Sequence, residues 1–244
     1  MFVGTSGWQY DDWRGVLYPP GCAQKRWLER YGECFQTVEN NGTFYRLPAR
    51  ETFESWRDRT PDDFVMAIKA SRYLTHVRKL REPAEPVGRL MGAAAGLGGK
   101  LGPVLVQLPP TMQADPGLLA ECLGCFPDGV RIAVEPRHAS WWSDETEEVL
   151  AKHGAALCWS DRLGRPLTPL WRTADWGYLR LHEGGSAHYP SYGDTALRSW
   201  VRRVGDLDEV YVYFNNDATG AAVRDAVRFA ELAEAAGHVV SRTP

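Results

Sequence analysis

Eight short runs rich in β-branched and aromatic residues, at 2–5, 35–39, 64–68, 104–108, 131–135, 155–159, 177–181 and 210–214, recur along this chain at intervals of 22 to 40 residues. That spacing is the tightest constraint on what the chain can fold into. A hairpin leaves only about two to five residues between strands, whereas a parallel pair needs a crossover of roughly a dozen or more, usually a helix. Every interval here holds a loop and a helix, so the strands are predicted to be parallel and joined as βαβ units. Helical patterns fill the gaps at 49–58, 86–97, 117–126, 144–153, 196–204 and 221–236. Within them Leu118, Leu119, Cys122 and Leu123 keep one apolar stripe, and Asp144 with Glu147 has the form of a capping box ahead of Val149 and Leu150.

Eight such units in 244 residues, with no Pro-, Gly- or Ser-rich tract between them, predict an α/β fold: one TIM-like (β/α)8 barrel, a single domain over 1–244. An open doubly wound sheet is the alternative. It calls for a G-x-G-x-x-G turn after the first strand, which Gly4-Thr5-Ser6-Gly7-Trp8 does not supply. Composition narrows the function. With 28 basic and 31 acidic residues the net charge is -3, so no global basic field collects nucleic acid, and a nucleic-acid partner is not favoured. No window approaches the ~20 apolar residues of a membrane span, and the start of the chain lacks a signal-peptide pattern. Five scattered cysteines suit reduced thiols, so the expected location is cytoplasmic. The Cys122-x-x-Cys125 pair sits in a helical pattern with no second pair, and no metal site is assigned to it.

In a barrel of this kind the chemistry comes from the C-terminal strand ends, so polar residues should gather there on one parity. They do. Val65, Ala67 and Lys69 share a face, as do Ala133, Glu135 and Arg137, then Tyr178, Arg180 and His182, then Tyr211, Tyr213, Asn215 and Asp217. Glu39 and Asn41 from the second strand, Gln107 from the fourth and either Ser160 or Asp161 from the sixth complete the predicted mouth. Glu39, Lys69 and Glu135 are the candidate catalytic groups. Candidate ligand contacts are Trp8, Asn41, Tyr45, His76, Gln107, Arg137, His138, Arg180, His182, Asn215 and Asp217. Small residues below Lys69 predict a buried ammonium within ion-pair reach of a carboxylate. Pro136 stops the strand after Glu135, and Glu135→Gln is expected to keep the melting temperature within a few degrees, because an amide preserves volume.

The residues also resemble a known family. Gly4-Thr5-Ser6-Gly7-Trp8 with Tyr10, Trp13, Arg14, Gly15, Tyr18 and Pro19, then Thr37-Val38-Glu39-Asn40-Asn41 leading to Thr43-Phe44-Tyr45-Arg46, are similar to the opening of the YecE-like proteins, domain of unknown function 72. Later blocks follow in the same order: 64–69 with Thr75-His76, 102–110, Val134-Glu135-Pro136-Arg137-His138 with Trp141, 178–182 and 211–217. The chain departs from the pattern at Gly42, where a Ser is usual, and at Glu183, where a Gly is usual. The resemblance implies a TIM-like barrel and leaves the reaction open.

Three readings of the mouth compete. Glu39 and Glu135, from strands three apart, suit acid and base roles, while Lys69, Arg137 and Arg180 suit a phosphate or carboxylate, and Trp8, Trp13 and Trp141 offer faces for a sugar or base. This is the favoured reading: an enzyme of hydrolase or isomerase type acting on a small anionic sugar- or nucleotide-like ligand, with no cofactor assigned. A divalent-metal enzyme would draw on Glu39, Glu135, His182 and Asp217, against the repulsion of three cations. A non-catalytic module for RNA or a nucleotide would use the same cations and tryptophans.

Overall fold

The structure, a computed structural model, describes residues 1–244. Its strands are β1 (Phe2–Ser6), β2 (Thr37–Asn40), β3 (Val65–Lys69), β4 (Leu101–Gln107), β5 (Ile132–Glu135), β6 (Ala156–Arg162), β7 (Arg165–Pro166), β8 (Trp176–Leu181) and β9 (Glu209–Phe214). Eight of them pair in parallel in the order β5-β4-β3-β2-β1-β9-β8-β6, and β5 pairs with β6 to close the ring. The two-residue β7 turns back antiparallel on the end of β6. This is the closed eight-stranded TIM-like barrel, as the spacing predicts, and it excludes the open sheet.

The helices are α1 (Trp27–Cys34), α2 (Gly42–Tyr45), α3 (Arg50–Asp58), α4 (Ala84–Ala94), α5 (Pro116–Gly124), α6 (Asp144–Lys152), α7 (Asp194–Val204) and α8 (Ala221–Ala235). The first two were not foreseen. Phe35, read as the start of the second strand, is the extended C-cap of α1, its N–H bonded to Tyr31 O at 2.7 Å, so β2 begins two residues later at Thr37. The cap of α6 also lies one residue earlier than the pattern suggests: Ser143 accepts from the Thr146 N–H at 3.4 Å, and Asp144 is the first helical residue. No helix is long and apolar enough to cross a membrane.

Inside the ring, Ala67 on β3, Ala133 on β5 and Ala156 on β6 leave room for Trp176, Tyr178, Tyr211 and Tyr213 from β8 and β9. Gly4 on β1 instead makes room for its neighbour β2, since a Cβ there would collide with the Thr37 carbonyl oxygen. Large rings on one side against alanines on the other fill the lower barrel. The polar layer sits above them, toward the C-terminal strand ends.

Candidate active site

Arg180, 1% exposed, is the centre of that layer. Its Nη2 donates to Glu39 Oε1 at 2.8 Å and its Nη1 to Glu135 Oε2 at 2.7 Å, so one guanidinium joins carboxylates from two separate strands. Glu39 also accepts from Ser6 Oγ at 2.7 Å and Tyr178 OH at 2.6 Å. Glu135 accepts from Gln107 Nε2 at 2.7 Å, Arg137 Nη2 at 3.1 Å and Ser160 Oγ at 3.3 Å, and its Oε1 lies 3.1 Å from His182 Nε2. Ser160 is therefore the inward residue of β6. Asp161 faces out, accepting from Trp200 Nε1 at 2.7 Å and from the Gly164 N–H at 3.1 Å.

Burial by itself would raise both glutamates. The charge of Arg180 and the donors around each outweigh it, holding Glu39 below the usual carboxylate range and Glu135 well below. Both are ionised at neutral pH. Each is also almost inaccessible, Glu39 at 0% and Glu135 at 1% exposure, and their oxygens are already occupied.

Lys69 is buried as expected, but no carboxylate lies within ion-pair distance of it; its Nζ stands 4.3 Å from the centre of the Phe44 ring. The reason is competition: Arg180 reaches both glutamates first. Burial, then repulsion from Arg180, pushes the Lys69 ammonium down to about 8. His76 stands nearby, edge-on to Phe44 at 5.0 Å with Nδ1 2.9 Å from Thr75 Oγ1, and burial and the Lys69 charge lower it too.

Above Glu135 opens a cavity of about 640 Å3, lined by Glu135, Arg137, Ser160, His182 and Asn215, with Trp142, Arg162 and Glu183 among its walls. The Asn215 amide nitrogen is 3.1 Å from His182 Nδ1, which places the imidazole between Asn215 and Glu135. Glu183 is bound by Arg162 and by the Tyr189 hydroxyl, so the carboxylate that departs from the family pattern is neutralised in place.

Other predicted contacts lie elsewhere. Asp217 accepts from Trp13 Nε1 at 2.8 Å, and His138 Nδ1 accepts from the Ser140 N–H at 3.1 Å at the start of a 3-10 turn. Tyr45 is 79% exposed on the rim beside Phe44. Trp13 and Trp141 are fully buried and offer no face to a ligand, while Trp8 and Asn41 line a separate cavity. The four side chains weighed as metal ligands are not gathered: Arg180 stands between the glutamates, and no three His, Cys, Asp or Glu side chains converge anywhere. All five cysteines are free. The sequence reading missed Ser6, although Phe2, Gly4 and Ser6 share the inward parity that identified the other strand ends.

A comparison with known proteins places this geometry in a family. The chain is 24% identical over 268 aligned residues to the UPF0759 protein YunF of Bacillus subtilis, covering 95% of this chain and 94% of that one. It is 28% identical over 155 residues to the UPF0759 protein YecE of Escherichia coli K12, covering 63% and 54%. A crystal structure of a DUF72 family protein from Thermotoga maritima superposes with a TM-score of 0.83 at 28% identity, covering 96% of this chain and 98% of that one. D-psicose 3-epimerase, at a TM-score of 0.54 and 10% identity, shares the fold. The family model described as protein of unknown function DUF72 matches residues 2–244, and the chain belongs to that family.

Proposed function

We propose that the protein is an enzyme of the hydrolase or isomerase type that moves protons on a small anionic, sugar- or nucleotide-like ligand at the C-terminal mouth of the barrel. The observation that carries this reading is where the buried Glu39–Arg180–Glu135 chain ends. Through Glu135 it reaches His182 and the 41% exposed Arg137 side chain, both of which line the cavity. A network that only filled the barrel would close on itself, and apolar residues of the same volume would serve stability as well or better.

In this reading Arg137 takes the anion. Three cations, Lys69, Arg137 and Arg180, stand against two ionised carboxylates, which leaves the floor net positive. Asn215 hydrogen-bonds the ligand through its side-chain oxygen, its amide nitrogen held by His182, whose other ring nitrogen is taken by Glu135. Lys69 supplies the proton transfer from its place over Phe44, beside the cavity rather than in its wall: burial and the charge of Arg180 lower its ammonium to about 8, and no carboxylate holds it. Glu39 and Glu135 act as positioning residues, because neither has surface left for a ligand.

A thermal-shift screen of phosphorylated sugars, sugar acids and nucleotides, with and without Mg2+, Mn2+ and Zn2+, tests this directly. The expected result is a stabilising compound whose effect disappears in Arg137→Ala. Turnover of that compound, followed by NMR in D2O, should be lost in Lys69→Met with binding retained. Stabilisation by RNA alone, steeply salt-dependent and without turnover, would replace this reading with the non-catalytic binding module.

A further inference from the structure

A second cavity of about 330 Å3 opens at the ends of β1 and β2, at the low end of the size range of small-molecule sites. Trp8, Tyr10, Trp56, Gln9, Asn40 and Asn41 line it, and no charged side chain does. The indole planes of Trp8 and Trp56 meet at 84° with ring centres 5.7 Å apart, so they form two walls of a corner rather than one flat plate. Aromatic faces carry negative π density that attracts the weakly positive C–H edge of a sugar ring, and amides match its hydroxyls.

The two asparagines differ in what they still need. Asn40 Oδ1 accepts from the Gly42 N–H at 2.9 Å, and its Nδ2 lies 3.7 Å from Met66 Sδ. Asn41 Oδ1 is buried with no hydrogen-bond partner. A buried acceptor left unpaired is a standing loss of stability. Because this oxygen is closed to solvent, a ligand donor relieves it once the Asn41 amide turns toward the opening of the cavity. A hydroxyl meets that need whichever way the amide is turned, since it both donates and accepts. An ionised phosphate or carboxylate only accepts, and this cavity offers it no cation.

We propose that this cavity is a subsite for an uncharged sugar ring. It adjoins the charged floor through Ser6: the Tyr10 hydroxyl donates to the Ser6 carbonyl at 2.6 Å, and the Ser6 hydroxyl donates to Glu39 at 2.7 Å. The subsite stands on its own residues; that the ring belongs to the same ligand as the anion over Arg137 rests on the reading of the mouth given above.

The test is titration of the full chain with uncharged methyl glycosides of glucose, galactose, mannose and xylose, followed by tryptophan fluorescence and saturation-transfer NMR. At least one binds saturably, Asn41→Ala weakens it about tenfold, and Arg137→Ala leaves it unchanged. Asn41 has no side-chain hydrogen bond to lose, so its variant keeps the fold, which circular dichroism checks; Trp56→Ala gives a second, larger loss. No saturable binding by any of the four, or binding indifferent to Asn41→Ala, overturns the subsite. Glycoside binding of this kind with no sugar phosphate bound would remove the reading of the mouth and leave the subsite standing. Sugar phosphates that bind through Arg137 with no glycoside bound would do the reverse.

Discussion

Each end of the barrel carries an arginine that reaches across the ring to a glutamate, and the two differ in their surroundings. At the N-terminal end Arg131, just ahead of β5, pairs with Glu209 at the start of β9 and donates to Tyr211 OH at 3.0 Å, its side chain 42% exposed and that of Glu209 32%. At the C-terminal end Arg180, Glu39 and Glu135 all have side chains no more than 2% exposed. Water screens the lower pair, whose guanidinium also lies 5.7 Å from the Trp176 ring centre and helps close the barrel floor. The upper triad has given up its hydration, so each member depends on the others staying in place. Charge at the bottom is a replaceable stopper. Charge at the top is retained against its desolvation cost, as expected where a TIM barrel does its chemistry.

The substitution that tests this contrast hardest is Arg180→Ala, which strands two buried carboxylates and should cost about 3–5 kcal/mol in urea unfolding. A loss under ~1 kcal/mol would mean that water already reaches the triad. Glu135→Gln comes next. The sequence suggests a change of only a few degrees, but Gln107, Arg137, Ser160 and Arg180 all donate to this carboxylate, and an amide turns one nitrogen toward donors. The expected cost is about 1–3 kcal/mol; an unchanged melting temperature would point to a glutamate that is protonated already.

Lys69→Met should move the other way, stabilising by about 1–2 kcal/mol, because it removes a buried ammonium that has no carboxylate partner. The pH dependence follows from the same groups. Lys69 falls from 10.5 to about 8 in the fold, so between those values the unfolded chain holds the proton more tightly and stability rises with pH. Lys69→Met should flatten that alkaline rise. Glu39 and Glu135 lie below their ordinary 4.5, so their contribution is complete above that pH and drains away as pH falls through their folded values. A urea midpoint that is level across the acid range would contradict an ionised triad. Arg131→Ala is the smallest effect, under ~1 kcal/mol and further reduced by salt. A loss as large as that of Arg180→Ala would erase the difference between the two ends.

Much of the site was legible before the fold was known. Arg180 and Tyr178 share one side of β8 against Leu179 and Leu181, and Glu135 ends β5 above Ala133, so the inward face could be read from alternation alone. Other features could not be read this way. The eight-residue α1 is too short for a clear helical period, and its aromatic residues resemble a strand approaching Phe35. His138 and Asp217 lie just past strand ends, where the loop path rather than strand parity sets direction, and Tyr45 ends the short helix α2, which strand alternation does not describe.

By itself, then, the sequence determined eight parallel strands, the helices between most of them, and which side of most strands turns inward, since all three depend on local spacing and a period of two. Which inward charges meet was decided only by the tertiary structure. Contacts among side chains from strands two and three apart depend on the tilt and stagger of the closed ring, which no local pattern encodes. That is why Arg180 holds Glu39 and Glu135 together while Lys69, on the same parity but two residues beyond the partner of Glu39, is left against Phe44 without an ion-pair partner.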